Sequence, residues 1–191
     1  MKKIFIILIM TTIALFTVCA QGTGTGNKQT GGNMKILVAY FSRTGTTETV
    51  AKYIQSLTSG TLFEIKTVKP YPSDYNACLA QATEELRSNS RPPLSTHVNG
   101  IDAYENIFIG YPIWWGDAPM AIRTFLEEYD FSNKTIIPFC TSGSSGISTS
   151  VQSIKKLCPK SKIPDGVCIN NANRSRTNEM VEQWIKKLDL K

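Results

Sequence analysis

Residues 35–57 read KILVAYFSRTGTTETVAKYIQSL, and this stretch decides the fold. The nearly continuous apolar run from Ile36 to Phe41 is typical of a strand that is covered on both faces of a sheet. From Thr47 to Leu57 the apolar residues recur at helical spacing, and Glu48 stands in the first turn, where it suits the helix dipole. The stretch therefore predicts a strand, a short polar loop and a helix, which is the repeating unit of a parallel sheet.

The same alternation continues to the end of the chain. Further strands are predicted over residues 62–68, 106–110, 134–140 and 166–169. Further helices are predicted over residues 73–87, with Ser73 as the cap, and over 119–128, 148–157 and 178–188. Five strands interleaved with five helices predict a three-layer α/β fold, with a five-stranded parallel sheet between helices on both of its faces.

The composition is that of an ordinary globular protein, with 191 residues, 41% hydrophobic and 19% charged. The single histidine, His97, excludes a His-rich metal site and catalysis by a pair of histidines, and no metal site is predicted. Nine basic and four acidic residues lie in the segment 150–191, so the net charge of +6 is concentrated at the end of the chain. This distribution argues against a nucleic-acid channel through the domain, and no nucleic-acid partner is expected.

Residues 1–20 have the pattern of a signal peptide. Two lysines precede an apolar-rich run that ends at Phe16 and is too short to span a bilayer. The small residues around Ala20 predict cleavage after that position, whereas lipidation of Cys19 would leave an anchored lipoprotein, and an apolar core strand is a third interpretation. We therefore expect an exported protein, either periplasmic or held on the outer side of the membrane through Cys19.

Residues 21–33 contain five glycines and nothing to bury, which predicts a flexible linker before a folded domain over residues 34–191. This domain has four cysteines. Cys158 and Cys168 are the closest pair in sequence, and outside the cytosol they could form a disulfide. Four buried thiols are the favoured alternative.

Three loops follow predicted strands one, three and four, at the edge of a parallel sheet where ligands bind. The first loop is Ser42-Arg43-Thr44-Gly45-Thr46-Thr47, whose hydroxyls, glycine and helix-start amides suit a phosphate monoester. The loop lacks the lysine of a Walker loop and the G-x-G-x-x-G of a dinucleotide fold, so neither NTP hydrolysis nor NAD binding is favoured. A plain helix cap is the alternative interpretation.

The second loop spans residues 110–117 and reads GYPIWWGD. Trp114 and Trp115 cannot both enter the core, because adjacent side chains on an extended segment point apart, so at least one indole is available to stack on a planar ring. The third loop, residues 141–146, reads TSGSSG and is too small and polar to pack. Its amides could contact the edge of a heterocycle, or it could be a flexible connector.

Together these loops resemble those of the flavodoxin family, specifically its exported members with a Trp-Trp-Gly loop, over about residues 34–189. The resemblance implies a flavodoxin-like fold with strand order 2-1-3-4-5 and noncovalently bound FMN. It also implies a set of cofactor-binding residues: Ser42, Thr44, Gly45, Thr46 and Thr47 around the phosphate; Pro112, Trp114, Trp115 and Gly116 beside the ring; and Thr141, Ser142, Gly143 and Ser144 on its pyrimidine side.

Three functions remain open at this point, and none assigns a catalytic residue. An electron carrier, serving a redox partner protein or a small-molecule acceptor, is favoured by Gly116, whose carbonyl could turn toward flavin N5 because glycine adopts positive φ easily. An FMN-dependent NAD(P)H:quinone-type oxidoreductase is favoured by the third loop, which lacks an aromatic residue and leaves room for a second flat molecule. A binding module that kept the fold without the cofactor is the third. The sequence leaves the oligomeric state open.

Overall fold

A computed structural model of the protein describes residues 35–188 and 190. The predicted signal peptide, the linker and Cys19 lie outside the described residues. Five strands form one sheet: β1 (Lys35–Tyr40), β2 (Thr61–Glu64), β3 (Tyr104–Pro112), β4 (Thr135–Thr141) and β5 (Val167–Ile169). Their order is β2-β1-β3-β4-β5, and all four strand pairings are parallel, which confirms the predicted fold class.

Helices cover both faces of this sheet. They are α1 (Thr46–Thr58), α2 (Tyr75–Arg87), α3 (Met120–Glu128), α4 (Ser148–Leu157) and α5 (Thr177–Lys187), with two short 3₁₀ turns at Ile101–Ala103 and Arg174–Arg176. Helices α3 and α4 pack on one face, and α1 and α5 pack on the other. Within the described part of the chain, none of these helices combines the length and the apolar character needed to cross a membrane.

The alternation of side chains along β1 explains why its sequence is apolar throughout. Leu37 and Ala39 face α3 and α4, whereas Val38 and Tyr40 face α1 and α5. Burial raises the pKa of the Tyr40 hydroxyl to about 12, and the negative charges of Glu64 and Glu48 add to this effect. Tyr40 is therefore a neutral core residue at physiological pH.

A close contact inside the sheet fixes the residue at position 110. Gly110 on β3 lies opposite Phe139 on β4, and a Cβ atom at Gly110 would stand 2.1 Å from the Cζ atom of the Phe139 ring. No larger residue fits there without a shift of the ring, because core side chains are already close-packed. The glycine therefore makes room for Phe139 at the centre of the sheet.

Strand β2 is shorter than predicted, and it ends at Glu64 rather than Val68. The amide of Ile65 still donates to the carbonyl of Tyr40 at 2.7 Å, but the chain then leaves β1. The segment 66–68 pairs instead with residues 93–95, with Val68 donating to the Pro93 carbonyl at 2.8 Å. Long-range pairing with a segment that the sequence pattern assigned to a loop therefore shortens β2.

Two further predictions are corrected. Strand β3 extends from Tyr104 to Pro112, beyond the predicted residues 106–110, because it lies at the centre of the sheet and pairs with both β1 and β4. The cap of α2 is Asp74 rather than Ser73, since the Asp74 Oδ1 accepts from the amide of Ala77 at 2.8 Å. A carboxylate at this position also suits the helix dipole.

The cysteines of the domain are free thiols, so a bridge between Cys158 and Cys168 is not formed. Cys158 lies at the end of α4 and is buried, whereas Cys168 lies on β5 directly opposite Cys140 of β4. The order of the strands, which is not visible in the spacing of cysteines, brings Cys140 rather than Cys158 next to Cys168.

Candidate functional site

The first loop offers the unpaired amides of a helix start. Gly45 is the N-cap of α1 and has φ +82°, in the left-handed region that glycine adopts without strain. No side chain of the described residues caps this helix, so the first amides of α1, from Thr46 onward, lie free at the loop. A half-buried helix start with these amides and the hydroxyls of Thr44 and Thr46 suits a bound anion.

A buried hydrogen bond joins the first loop to the third. The Oγ1 atoms of Thr47 and Thr141 lie 2.8 Å apart, and the two residues are only 2% and 5% exposed. One of the two O–H groups donates in this bond, and the other has no acceptor among the described residues. The pair therefore holds the ends of β1 and β4 together and keeps one O–H group for a further acceptor.

The second loop ends in a tight turn that carries Trp115 and Gly116. Trp114 and Asp117 exchange both backbone hydrogen bonds, at 2.9 and 3.0 Å. Trp115 has φ +51° and Gly116 has φ +79°, the two positive values that characterise a type I′ turn. A bulky residue rarely adopts this conformation, and strain of this kind costs about 1–3 kcal/mol and concentrates at functional sites.

The two tryptophans have separate environments. The Trp114 ring packs edge-on against Phe41 and Tyr71, with ring centroids 5.5 and 5.0 Å away. Trp115 is 55% exposed. The structure thus presents one indole to solvent on a strained turn and packs the other against two aromatic rings.

Asp117 anchors this turn to the helices behind it. Its Oδ2 accepts from the Arg123 guanidinium of α3 at 2.8 Å and from the Ser153 hydroxyl of α4 at 2.6 Å. Its Oδ1 accepts from the amide of Ala118 at 2.7 Å. The carboxylate is therefore a structural group held by three donors, and it does not add a free negative charge to the site.

The third loop is exposed beyond its first residues. Its start is held by the sheet, because the amide of Ile113 donates to the Thr141 carbonyl at 2.8 Å and the amide of Ser142 donates to the Ile169 carbonyl at 2.9 Å. Gly143 and Ser144 are exposed. The Gly143 carbonyl accepts from the amide of Asn171 at 3.2 Å, which ties the loop to the segment after β5.

The three loops line one cavity of about 180 Å³. Most of the predicted site residues line it, namely Ser42, Thr44, Thr46, Thr47, Pro112, Trp114, Thr141, Ser142 and Gly143. The other predicted residues, Gly45, Trp115, Gly116 and Ser144, lie beside it on the same loops without lining it. The structure thus brings the three predicted loops together at the carboxyl edge of the sheet.

Sequence reasoning missed four residues of this cavity: Arg43, Ile113, Asn171 and Arg174. Asn171 and Arg174 follow β5, whose carboxyl end meets the same edge of the sheet, so the position after the fifth predicted strand was the signal that could have found them. Arg43 and Arg174 supply positive charge, which favours an anionic ligand. The guanidinium of Arg43 also donates to the carbonyl of Ser73 at 3.0 Å, which fixes it between the first loop and α2.

A second, more apolar cavity of about 310 Å³ lies on the α2 side of the tryptophan turn. Trp114 and Trp115 form one wall, and Tyr75, Cys78, Leu79 and Ala82 of α2 form the other. Burial and a hydrogen bond to Glu85 raise the pKa of Tyr71, whose ring packs edge-on against Trp114. The phenol therefore stays neutral, and Arg43 supplies the positive charge at the boundary between the two cavities.

Comparisons with known proteins bear on the fold and the family. A proposed flavoprotein from Bacteroides uniformis is 41% identical over 81% of this chain and 99% of its own, with a TM-score of 0.72. A proposed flavoprotein from Bacteroides eggerthii is 35% identical over 82% of this chain and 99% of its own, with a TM-score of 0.73. A flavoprotein from Lactobacillus acidophilus, solved in complex with FMN, is 22% identical over 75% of this chain and 97% of its own, with a TM-score of 0.64, and shows the fold alone.

A search of curated proteins gives no match. The sequence profile of the family described as flavodoxin matches residues 35–188, which is nearly all of the described chain. The chain therefore belongs to the flavodoxin family.

Proposed function

We propose that this protein binds FMN noncovalently at the carboxyl edge of its sheet and carries electrons. The observation that supports the proposal is the convergence of the loops after β1, β3 and β4 on one cavity that has free helix amides, hydroxyls and two arginines. These amides, hydroxyls and arginines are suited to bind the charged oxygens of a phosphate, and the tryptophans beside them are suited to stack on a flat ring. The complex of the Lactobacillus acidophilus flavoprotein with FMN is consistent with this cofactor.

Different residues of the cavity would bind different parts of the cofactor. The amides of Thr46 and Thr47, the hydroxyl of Thr44 and the guanidinium of Arg174 would hold the phosphate. The unused O–H of the Thr47–Thr141 pair would donate to the same ligand, which gives this buried group an acceptor. The exposed Trp115 would cover the ring and exclude water from one of its faces.

The cofactor itself supplies reversible uptake of one or two electrons, and the protein supplies orientation and electrostatics. Gly116 stands on the turn beside the cavity with φ +79° and no heavy atom within 4 Å of the place where a Cβ would lie. Rotation of the peptide between Gly116 and Asp117 would break the bond from the Asp117 amide to the Trp114 carbonyl, which is worth about 0.5–1.5 kcal/mol. The turn can therefore offer a carbonyl to a ring nitrogen at a modest energetic cost.

The test of FMN binding is a fluorescence titration of the purified chain, since a flavin that is bound against tryptophan loses its emission. We expect a yellow complex, and replacement of Arg174 by glutamine should raise the Kd two- to fivefold, or about 0.5–1 kcal/mol for an exposed ion pair. Arg176→Gln is the matched control, because Arg176 lies in the same 3₁₀ turn but pairs with Glu179 at 2.9 Å. A colourless chain that does not quench the fluorescence of added FMN would contradict the proposal. The protein would then be a binding module that kept the fold without the cofactor.

An FMN-dependent NAD(P)H:quinone-type oxidoreductase is the second candidate. The observations that favour it are the exposed third loop, which has no aromatic residue, and the 310 Å³ cavity beside Trp115, which has room for a second flat molecule. Oxidation of NADH or NADPH by the loaded protein in the presence of a quinone would select this function. An electron carrier would exchange electrons with a redox partner protein or a small-molecule acceptor and would leave the nicotinamide unreacted.

We also propose that the protein is exported, on the strength of the charged and apolar pattern of residues 1–20. Mass spectrometry of the protein recovered from fractionated cells tests this proposal. A mature chain that begins after Ala20 supports a free periplasmic protein, and a lipid on Cys19 supports an anchored one. A full-length chain that stays in the cytosol would contradict both.

A further inference from the structure

Cys140 and Cys168 form a pair of thiols next to the third loop. They are directly opposite one another on the neighbouring parallel strands β4 and β5. Opposite residues on neighbouring strands lie about 4.8 Å apart, which is within the range of about 4.4–6.8 Å between Cα atoms that a disulfide joins. Both side chains contact the same core cluster, on the face of the sheet covered by α3 and α4. Spacing and side-chain direction therefore both suit a bond between the two sulfurs.

Cys168 is tied to the third loop and stands beside Cys140. The Cys168 Sγ donates to the carbonyl of Ser145 at 3.3 Å, and its neighbour on β4 is Cys140. Cys140 is fully buried, whereas Cys168 is partly exposed. A reagent from solvent therefore meets Cys168 first, with Cys140 directly behind it.

We propose that Cys140 and Cys168 are an oxidation site at which small disulfide-type oxidants convert the two thiols into a disulfide. In the first step the Cys168 sulfur attacks one sulfur of the oxidant, which gives a mixed disulfide on Cys168 and releases one thiol. In the second step the Cys140 sulfur attacks the Cys168 sulfur of that mixed disulfide and releases the second thiol, which takes the Cys140 proton. The two cysteines are oxidised by two electrons, and the oxidant is reduced to two thiols.

The order of the two steps follows from the environments of the sulfurs. The hydrogen bond from Cys140 lowers the pKa of Cys168, and the same bond together with burial raises the pKa of Cys140. The thiolate is the attacking form, so Cys168 is the nucleophile toward solvent. Cys140 is the resolving residue, because its position opposite Cys168 keeps it within reach once the mixed disulfide forms.

Oxidation should also release the third loop. The Cys168 sulfur loses its hydrogen when the disulfide forms and can no longer donate to the Ser145 carbonyl. The residues beyond Ser142 have few other ties, since Gly143 to Gly146 are exposed. We therefore expect faster hydrogen exchange of the Asn171 amide, which donates to the Gly143 carbonyl at 3.2 Å, in the oxidised chain without FMN, a readout that does not depend on the proposed cofactor.

The experiment treats the reduced full chain with oxidised glutathione, alkylates the remaining thiols and maps all cysteines of the folded domain by peptide mass spectrometry. We expect one disulfide, between Cys140 and Cys168, and unmodified thiols at the buried Cys78 and Cys158. A brief glutathione adduct on Cys168 should precede it. A stable adduct on Cys168, a bridge to another cysteine or an unreactive Cys168 would each overturn the proposal.

Variants separate the two roles. Cys140→Ser should stop at a stable glutathione adduct on Cys168, whereas Cys168→Ser should stay unmodified because Cys140 is buried. Cys158→Ser is the matched control, and it should still form the Cys140–Cys168 bridge. If the core substitution at Cys140 prevents folding, the time course of the natural chain decides, because an early adduct on Cys140 rather than on Cys168 contradicts the assigned order.

Discussion

Removal of the buried hydroxyl at Thr47 or Thr141 should lower stability more than the size of the change suggests. Valine keeps the shape of threonine, so Thr47→Val and Thr141→Val each leave one buried hydroxyl without its partner at 2.8 Å. That loss costs about 1–3 kcal/mol, which in a domain of this size lowers Tm by about 2–4 °C for each kcal/mol. The double variant leaves no such hydroxyl and should be destabilised by less than the sum of the two single variants.

The assay is a double-mutant cycle on the purified chain, with urea unfolding followed by circular dichroism. A coupling free energy of about 1–3 kcal/mol is expected, since removal of either hydroxyl already loses the whole interaction. Thr49→Val is the matched control in the same helix, because its hydroxyl bonds the Gly45 carbonyl at an exposed position, and it should change stability by about 0.5 kcal/mol or less. Additive effects of Thr47→Val and Thr141→Val would refute the claim that this bond joins the two loops.

Substitutions in the core, in the tryptophan turn and at Tyr40 should each change stability in a different way. Gly110→Ala should destabilise the protein by about 1–3 kcal/mol in urea unfolding, because its Cβ would meet the Phe139 ring, whereas Gly143→Ala, with no heavy atom within 4 Å, should be close to neutral. Trp115→Asn should raise the free energy of unfolding by about 1 kcal/mol, because asparagine tolerates φ +51°, and should weaken FMN binding in the fluorescence titration. Tyr40 holds its proton more tightly in the folded state, so the stability it contributes is intact below pH 10 and is lost as the pH rises through about 12; Tyr40→Phe should lack this decline in alkaline urea titrations.

The sheet and the three loops could be predicted because local patterns carry them. The apolar run from Ile36 to Phe41 and the polar turn after it identify a strand and a helix start without knowledge of any distant residue. The carboxyl ends of parallel strands must meet at one edge, so Thr47 and Thr141 could be expected in one site although 94 positions separate them.

What the sequence did not reveal depends on pairing between distant segments. Strand β2 ends before Val68 because the amide of Val68 donates to the Pro93 carbonyl instead of pairing with β1. Arg174 lines the cavity because it follows β5, which pairs with β4 in the sheet. The pairing of Val68 with Pro93 has no local signature, whereas the place of Arg174 after the predicted fifth strand could have indicated that it lines the cavity. The conformation of Trp115 is the opposite case, because the local preference of a bulky residue is against φ +51° and the surrounding turn, held by Asp117, overrides that preference.

The brevity of the two outer strands has a consequence for how copies of this protein can meet in concentrated solution. Strand β2 spans four residues and β5 three, and the chain turns away to pair with its own segment 93–95 where β2 could have continued. An exposed edge strand is a template with which strands of other chains can pair, and short edge strands are a common protection against aggregation. Among the described residues, pairing of a second copy onto either outer strand is therefore disfavoured.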